Sequence, residues 1–155
     1  FEATEEIRKF QLIDAEYEVA ERLHSGQSIL AEGAPGMMLD IDFGTYPFVT
    51  SSNTISSSVC SGLGVPPTAV LKVIGVTKAY CTRVGSGPFP SELLDEDGER
   101  IRQAGHEFGS TTGRPRRCGW LDIPQLKYAI MITGTTDIAI TKLDVLNMFE
   151  DIMVA

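Results

Sequence analysis

Apolar residues in the first two dozen positions recur at three- and four-residue steps: Ile7, Phe10, Ile13, Tyr17, Ala20 and Leu23. That spacing predicts one amphipathic helix over residues 2–24, with Glu and Arg on its wet side and Gly26 as its stop. Residues 28–31 read as a short strand running into the loop Glu32-Gly33-Ala34-Pro35-Gly36. Residues 44–58 carry Gly, Thr, Ser and Asn without a sustained period, which predicts mostly loop or a helix start. Residues 69–84 are rich in Val and Ile and predict a helical turn followed by a buried strand, a division that periodicity alone leaves open. After the Gly/Pro loop at 85–90, residues 95–104 suit a short helix ending at Gly105. Asp122 reads as an N-cap, with Pro124 in the first turn and Gln125 at the capping-box position. Its helix turns Leu126, Ala129, Ile130 and Ile132 inward and stops near Gly134; a strand follows at 137–141. Alternating helices and strands without repeats predict an α/β fold, and no internal domain boundary is visible.

Composition narrows the function classes. The 155 residues are 43% hydrophobic and 22% charged, as in an ordinary globular chain. The formal net charge of −8 disfavours nucleic acid as a partner. Apolar runs such as residues 128–132 fall far short of the ~18 that cross a membrane. Cys60, Cys81 and Cys118 are an odd, widely spaced set, read as reduced thiols of a cytoplasmic protein. His24 and His106 have no second ligand at metal spacing, so no metal site is expected. The chain enters a helical pattern at Phe1 and closes at 151–155 on what reads as the start of a strand, so both ends are expected to be interruptions of a longer protein.

Four segments carry candidate chemistry. Ser110-Thr111-Thr112-Gly113-Arg114-Pro115-Arg116-Arg117 places three arginines within four positions behind two hydroxyls and a glycine. Arginine forks bind carboxylate or phosphate, and hydroxyls and glycine amides add donors; a solvated loop paired with surface carboxylates fits the composition equally well. Lys142-Leu143-Asp144 follows a strand, where α/β ligands bind. Asp144 there either accepts the N1–H and 2-amino donors of a guanine or caps the following helix. The stretch from Gly44 to Asn53 suits a phosphate or sugar, and equally a turn-rich connection with Tyr46 and Phe48 packed inward. Arg83-Val84-Gly85-Ser86-Gly87-Pro88-Phe89-Pro90 is by itself a rigid turn. A G-x-x-x-x-G-K-[ST] phosphate loop and a Ser-His-Asp arrangement are both missing from these residues.

Taken in order, the segments resemble one family. Asp40-Ile-Asp-Phe-Gly-Thr-Tyr-Pro-Phe-Val-Thr-Ser-Ser-Asn53 is similar to a signature stretch of the adenylosuccinate synthetases. Lys78-Ala-Tyr-Cys-Thr-Arg-Val-Gly-Ser-Gly-Pro-Phe-Pro90, Gly105-His-Glu-Phe-Gly-Ser-Thr-Thr-Gly-Arg-Pro-Arg-Arg-Cys-Gly-Trp-Leu-Asp122 and Thr141-Lys-Leu-Asp-Val-Leu146 follow in the family's order. The resemblance runs from about Ile29 onward and implies that residues 1–155 are one partial domain, the central portion of such an enzyme. The implied fold is P-loop-NTPase-like with a large, mostly parallel central sheet.

What the resemblance implies chemically is a ligase joining L-aspartate to IMP with GTP. A catalytic aspartate removes the N1 proton of IMP, O6 attacks the γ-phosphate, and the amine of aspartate then displaces phosphate from C6. The catalytic aspartate, the catalytic histidine, the phosphate loop and the Mg2+ ligands belong to a part of the family chain that precedes these residues. The fragment alone is therefore expected to be inactive, and the full-length chain to be a cytoplasmic homodimer. The implied IMP contacts are Thr50, Val84 and Arg114. The aspartate contacts are Ser110, Thr111, Thr112, Gly113 and Arg114, and the GTP contacts are Arg116, Lys142, Leu143 and Asp144. One position departs from the pattern. Pro35 stands where the family shows glutamine in Glu-Gly-Ala-Gln-Gly, which removes an amide donor and acceptor beside the purine. A non-catalytic nucleotide-binding domain that keeps the fold is the competing expectation.

Overall fold

The computed structural model describes residues 2–33 and 35–155, Glu2 by its backbone alone. Phe1, and Ala34 of the expected loop at 32–36, lie outside the described residues. Two units form, Phe1–Ala34 with Ser56–Leu71 and Pro35–Ile55 with Lys72–Ala155.

In the smaller unit the expected single helix is two. Helix α1 covers Glu2–Ile7 and α2 covers Ala15–His24. The Lys9 and Phe10 amides close three-residue turns onto Glu6 and Ile7, and the chain then extends to Asp14, whose backbone caps α2 at φ −84 and ψ 100. The apolar stripe explains the break. Ile7, Phe10 and Ile13 stay exposed, and a helix this short is marginal without a surface on which to bury its stripe. Residues 28–31, expected as a strand, have no ladder partner among the described residues and are irregular. Helix α3, Ser58–Leu63, packs on α2 and ends at Gly64, whose φ of +68 gives the left-handed stop that glycine adopts freely.

The larger unit has the α/β build expected. The stretch at 69–84 is not one strand. A 3-10 turn at Pro67–Ala69, still within the smaller unit, precedes in sequence β1, Ile74–Lys78, and β2, Tyr80–Arg83, with Ala79 between the strands. Helix α4 covers Glu96–Ala104, β3 covers Arg117–Trp120, α5 covers Ile123–Thr133 and β4 covers Asp137–Thr141. The expected cap at Asp122 forms, and Asp95, not singled out in the sequence, caps α4 as well. The Asp95 side chain accepts from the Gly98 amide at 3.2 Å, and that of Asp122 from the Gln125 amide at 2.8 Å. The inward positions of α5 are half-buried.

β1 and β4 pair in parallel, Ile74 opposite Asp137 and Lys78 opposite Thr141. β2 and β3 pair antiparallel, Tyr80 opposite Trp120 and Arg83 opposite Arg117. The core gathers where these ladders meet: Ala79, Tyr80, Ile101, Cys118, Val145 and Leu146, flanked by Leu93, Trp120 and Phe149. Trp120 and Phe149 meet edge to face at 5.1 Å, a favourable aromatic geometry. The strand expected to be buried, β1, is instead largely open, as is β4: Ile74, Val76, Ile138 and Ile140 face solvent. Each of these strands has one partner among the described residues, and a parallel pair normally lies inside a covered sheet. The closing strand expected at 151–155 is reduced to a bridge between Val154 and Leu121. Among the described residues no helix is long and apolar enough to cross a membrane.

Candidate functional site

β1 passes through Ala79 directly into β2, and the Ala79 amide donates to the Thr141 carbonyl at 2.9 Å. Lys142 therefore leaves β4 beside the junction of the two ladders. Its backbone is left-handed at φ +59, unusual for a side chain with a Cβ, and opens the 3-10 turn Leu143–Met148. Lys142 Nζ donates to the Gly105 carbonyl, and its ammonium also stands 3.8 Å from Glu107. Leu143 and Asp144 are exposed. The cap reading of Asp144 does not hold, because Lys142 occupies the N-cap position and no side chain caps this turn. Among the described residues the Asp144 carboxylate has no hydrogen bond or ion pair.

The arginine loop turns on itself. The Gly109 amide donates to the Arg114 carbonyl at 2.9 Å, and the Gly113 amide returns to the Gly109 carbonyl at 2.8 Å. Gly113 takes φ +64, and the Thr112 hydroxyl accepts from the Arg114 amide at 3.3 Å. Ser110, Thr111, Thr112 and Arg114 all face solvent.

The three arginines divide. Arg117 is paired with Glu92 and donates to the Gly85 and Gly87 carbonyls at 3.1 and 2.9 Å, which holds the loop at 85–90. Arg116 reaches Glu107 at 2.8 Å, with its Nε shielded and unpartnered. Arg114 has no side-chain partner among the described residues. Pairing with nearby carboxylates thus accounts for Arg117, partly for Arg116, and not at all for Arg114.

At the far end of the β2–β3 ladder Val84 leaves and Arg116 enters side by side, and Val84 is exposed. Arg83 ties this end to the segment before Thr50, donating to the Thr45 hydroxyl at 3.1 Å and the Phe48 carbonyl at 3.2 Å. Thr50 itself is half-buried, its amide on the Leu39 carbonyl at 2.8 Å. That whole stretch closes around Asp40, which is fully buried. Its carboxylate accepts from the amides of Asp42, Phe43, Thr54 and Ile55 at 2.9, 3.0, 2.6 and 3.3 Å. Burial pushes the Asp40 carboxyl up, and the amides of Thr54, Phe43, Asp42 and Ile55 together pull it down to about 2.

Two residues that organise the site were not among those expected from the sequence, Asp40 and Glu107. Both lie inside the quoted segments, but a buried carboxylate with many partners leaves no periodic or compositional mark. An apolar concavity in the smaller unit, lined by Ala20, Leu23, Val65 and Ala69, contains none of the candidate residues.

The adenylosuccinate synthetase family profile matches residues 1–155. Over 154 residues the chain is 58% identical to an adenylosuccinate synthetase of Cytophaga hutchinsonii, covering 99% of this chain and 36% of the relative. A Bacteroides fragilis adenylosuccinate synthetase is 59% identical over 152 residues, again with 36% of its length covered. The chain therefore spans about a third of the curated relatives it matches. Among solved structures, the fully ligated adenylosuccinate synthetase of Plasmodium falciparum superimposes with a TM-score of 0.88 at 50% identity, covering 91% of this chain and 33% of that one. A cyanophage S-2L succinoaminodeoxyadenylate synthetase, bound to dGMP and dATP, shares the fold at 24% identity and a TM-score of 0.67. With a profile that matches from the first residue to the last and relatives this similar, the chain belongs to the adenylosuccinate synthetase family.

Proposed function

We propose that this chain is the central portion of a GTP-dependent ligase that joins L-aspartate to IMP and yields adenylosuccinate, a step of purine (AMP) biosynthesis. The observation that carries the reading is the contrast among charged groups. Arg114 and Asp144 are exposed and unpartnered among the described residues, while Arg116, Arg117 and Lys142 beside them are held in place. An unpaired guanidinium suits a carboxylate or phosphate, and an unpaired carboxylate suits adjacent N–H donors.

In this reading Arg114, with Ser110, Thr111, Thr112 and Gly113, takes the carboxylates of aspartate. Thr50, the Val84 backbone and Arg114 take IMP. Arg116 faces GTP, and Lys142, Leu143 and Asp144 read its guanine. Mg2+, when bound, would supply positive charge that offsets the GTP phosphates. Among the described residues no three His, Cys, Asp or Glu side chains converge as a metal requires, and in this reading its ligands belong to the rest of the longer protein. A cytoplasmic homodimer belongs to the same proposal.

The test is nucleotide choice in the full-length parent. Asn at position 144 turns one acceptor toward the 2-amino group of guanine into a donor, whereas xanthine presents a carbonyl there. Asp144→Asn should lower kcat/KM for GTP by roughly 30- to 1000-fold and restore turnover with XTP. An unaltered GTP-to-XTP ratio would remove Asp144 as the guanine reader.

Pro35 supports a second reading, a nucleotide-binding domain without turnover. Steady-state ligase activity of the full-length parent decides: IMP and GTP binding without product favours that reading.

A further inference from the structure

We infer that Glu107 is a positioning residue: from inside the fold it fixes Arg116 of the arginine loop and Lys142 of the guanine-reading segment to a single carboxylate, and so sets the spacing between them. The inference rests on the proposed assignment of both cations to GTP.

Glu107 is 1% exposed and lies just after α4, where the chain reverses at His106 with φ +52. One oxygen, Oε1, accepts from Lys78 Nζ at 2.7 Å and the Tyr80 hydroxyl at 2.6 Å, with Lys142 Nζ at 3.8 Å. The other, Oε2, takes Arg116 at 2.8 Å. Three separate segments, at 78–80, 116 and 142, thus meet on one side chain. The backbone reinforces the meeting. The Arg116 amide donates to the Glu107 carbonyl at 2.9 Å, and Arg102 of α4 holds the Arg116 carbonyl at 2.8 Å. Gly105 permits it, since a Cβ there would stand 2.3 Å from the Tyr80 hydroxyl.

Charge separates positioning from mere packing. Three cations surround one carboxylate, so the cluster carries net positive charge. The side chains of Lys78, Arg116 and Lys142 remain 27, 32 and 39% exposed. They are oriented without being neutralised, as a site prepared for a polyanion requires. Burial pushes the Glu107 carboxyl up, and hydrogen bonds from Lys78, Tyr80 and Arg116 more than reverse this, keeping it ionised.

The experiment uses the full-length parent with Glu107→Gln and Glu107→Asp, following KM for each substrate, kcat and melting temperature. Glu107→Gln keeps the volume and removes the charge. It should raise the GTP KM about ten- to a hundred-fold while the IMP KM moves by no more than about two-fold. Glu107→Asp, which restores the charge on a shorter stem, should recover part of the loss. In a Glu107→Gln/Arg116→Leu double variant the rise in GTP KM should fall clearly short of the product of the two single effects, because Glu107 acts in part through Arg116. A folded Glu107→Gln enzyme with an unchanged GTP KM, or with all three KM values raised alike, overturns the inference. So does strict additivity in the double variant. If Glu107→Gln does not fold, Tyr80→Phe keeps the carboxylate and removes one of its donors; an unmoved GTP KM there is equally fatal. A wild-type parent that does not use GTP refutes the functional proposal and the inference together. Normal GTP use with an unresponsive Glu107 refutes only the inference.

Discussion

Arg83 and Arg117 are register partners at the end of the β2–β3 ladder, and their guanidiniums meet on one loop. Both grip residues 85–90, Arg117 through the Gly85 and Gly87 carbonyls and Arg83 through the Ser86 carbonyl at 3.0 Å, and Arg83 alone reaches on to residues 45–48 through Thr45 and Phe48. Two like charges side by side are tolerated because each points at carbonyls, and Glu92 offsets one of them. Burial and the neighbouring Arg117 both push the Arg83 guanidinium below its ordinary value.

Arg83→Leu in the full-length enzyme should therefore loosen the stretch carrying Thr50. The expected outcome is an IMP KM raised about ten-fold, the effect of losing one or two hydrogen bonds from a charged donor, with the GTP KM nearly constant. Steady-state kinetics with each substrate varied in turn makes the check. A larger effect on GTP than on IMP would disconnect Arg83 from the nucleotide-monophosphate side.

Arg114 supplies the companion prediction. Leu at this position retains much of the bulk and deletes the unpartnered fork. Aspartate use should fall by about ten- to a hundred-fold in kcat/KM, whereas GTP binding measured directly should hardly change. If the aspartate KM and kcat both match wild type, the loop takes some other anion.

Asp40 predicts an acid signature. Its folded pKa, about 2, is depressed relative to the unfolded value near 3.9. The stability it contributes is complete above about pH 4 and disappears as pH falls toward 2. Asp40→Asn, which retains one acceptor oxygen but loses the charge, should cost about 1.5–3 kcal/mol at pH 7. The difference from wild type should shrink at pH 2–3. Denaturant midpoints at the two pH values test this, and a gap that does not narrow on acidification would show that the Asp40 charge is not what the four amides recognise.

The 155-residue chain on its own should make no adenylosuccinate and should bind a hydrophobic dye such as ANS. Ile74 is 54% exposed, Val76 74% and Ile140 50%, on a two-stranded parallel pair. Apolar strand faces of that kind are covered in stable α/β sheets. Product absorbance above a blank, or a cooperative melt without dye binding, would contradict the expectation.

Local chemistry made part of this legible in the sequence. Asp122 followed by Pro124 and Gln125 announces a helix start, Gly134 its stop, and the β-branched run at 137–141 a strand, because each signal acts over a few residues. The same logic misled at 2–24, where the stripe has the right period but no surface to cover it. β3 escaped notice because Arg117-Cys-Gly-Trp120 has neither alternation nor β-branched residues; its conformation comes from pairing with β2. The candidate residues were found through ordered motifs, while Glu107 and Asp40 become visible only once distant segments are folded onto them.

Lys142 sits in a backbone region that favours glycine, by roughly 1–2 kcal/mol over a residue with a Cβ. Its ammonium, however, joins the Glu107 cluster through an ion-pair distance of 3.8 Å and a bond to Gly105. Robustness and chemistry therefore pull against each other at this one codon. A mutant library of the parent enzyme sorted for heat resistance alone would drift toward glycine here, and a library sorted for growth without supplied adenine would keep the lysine.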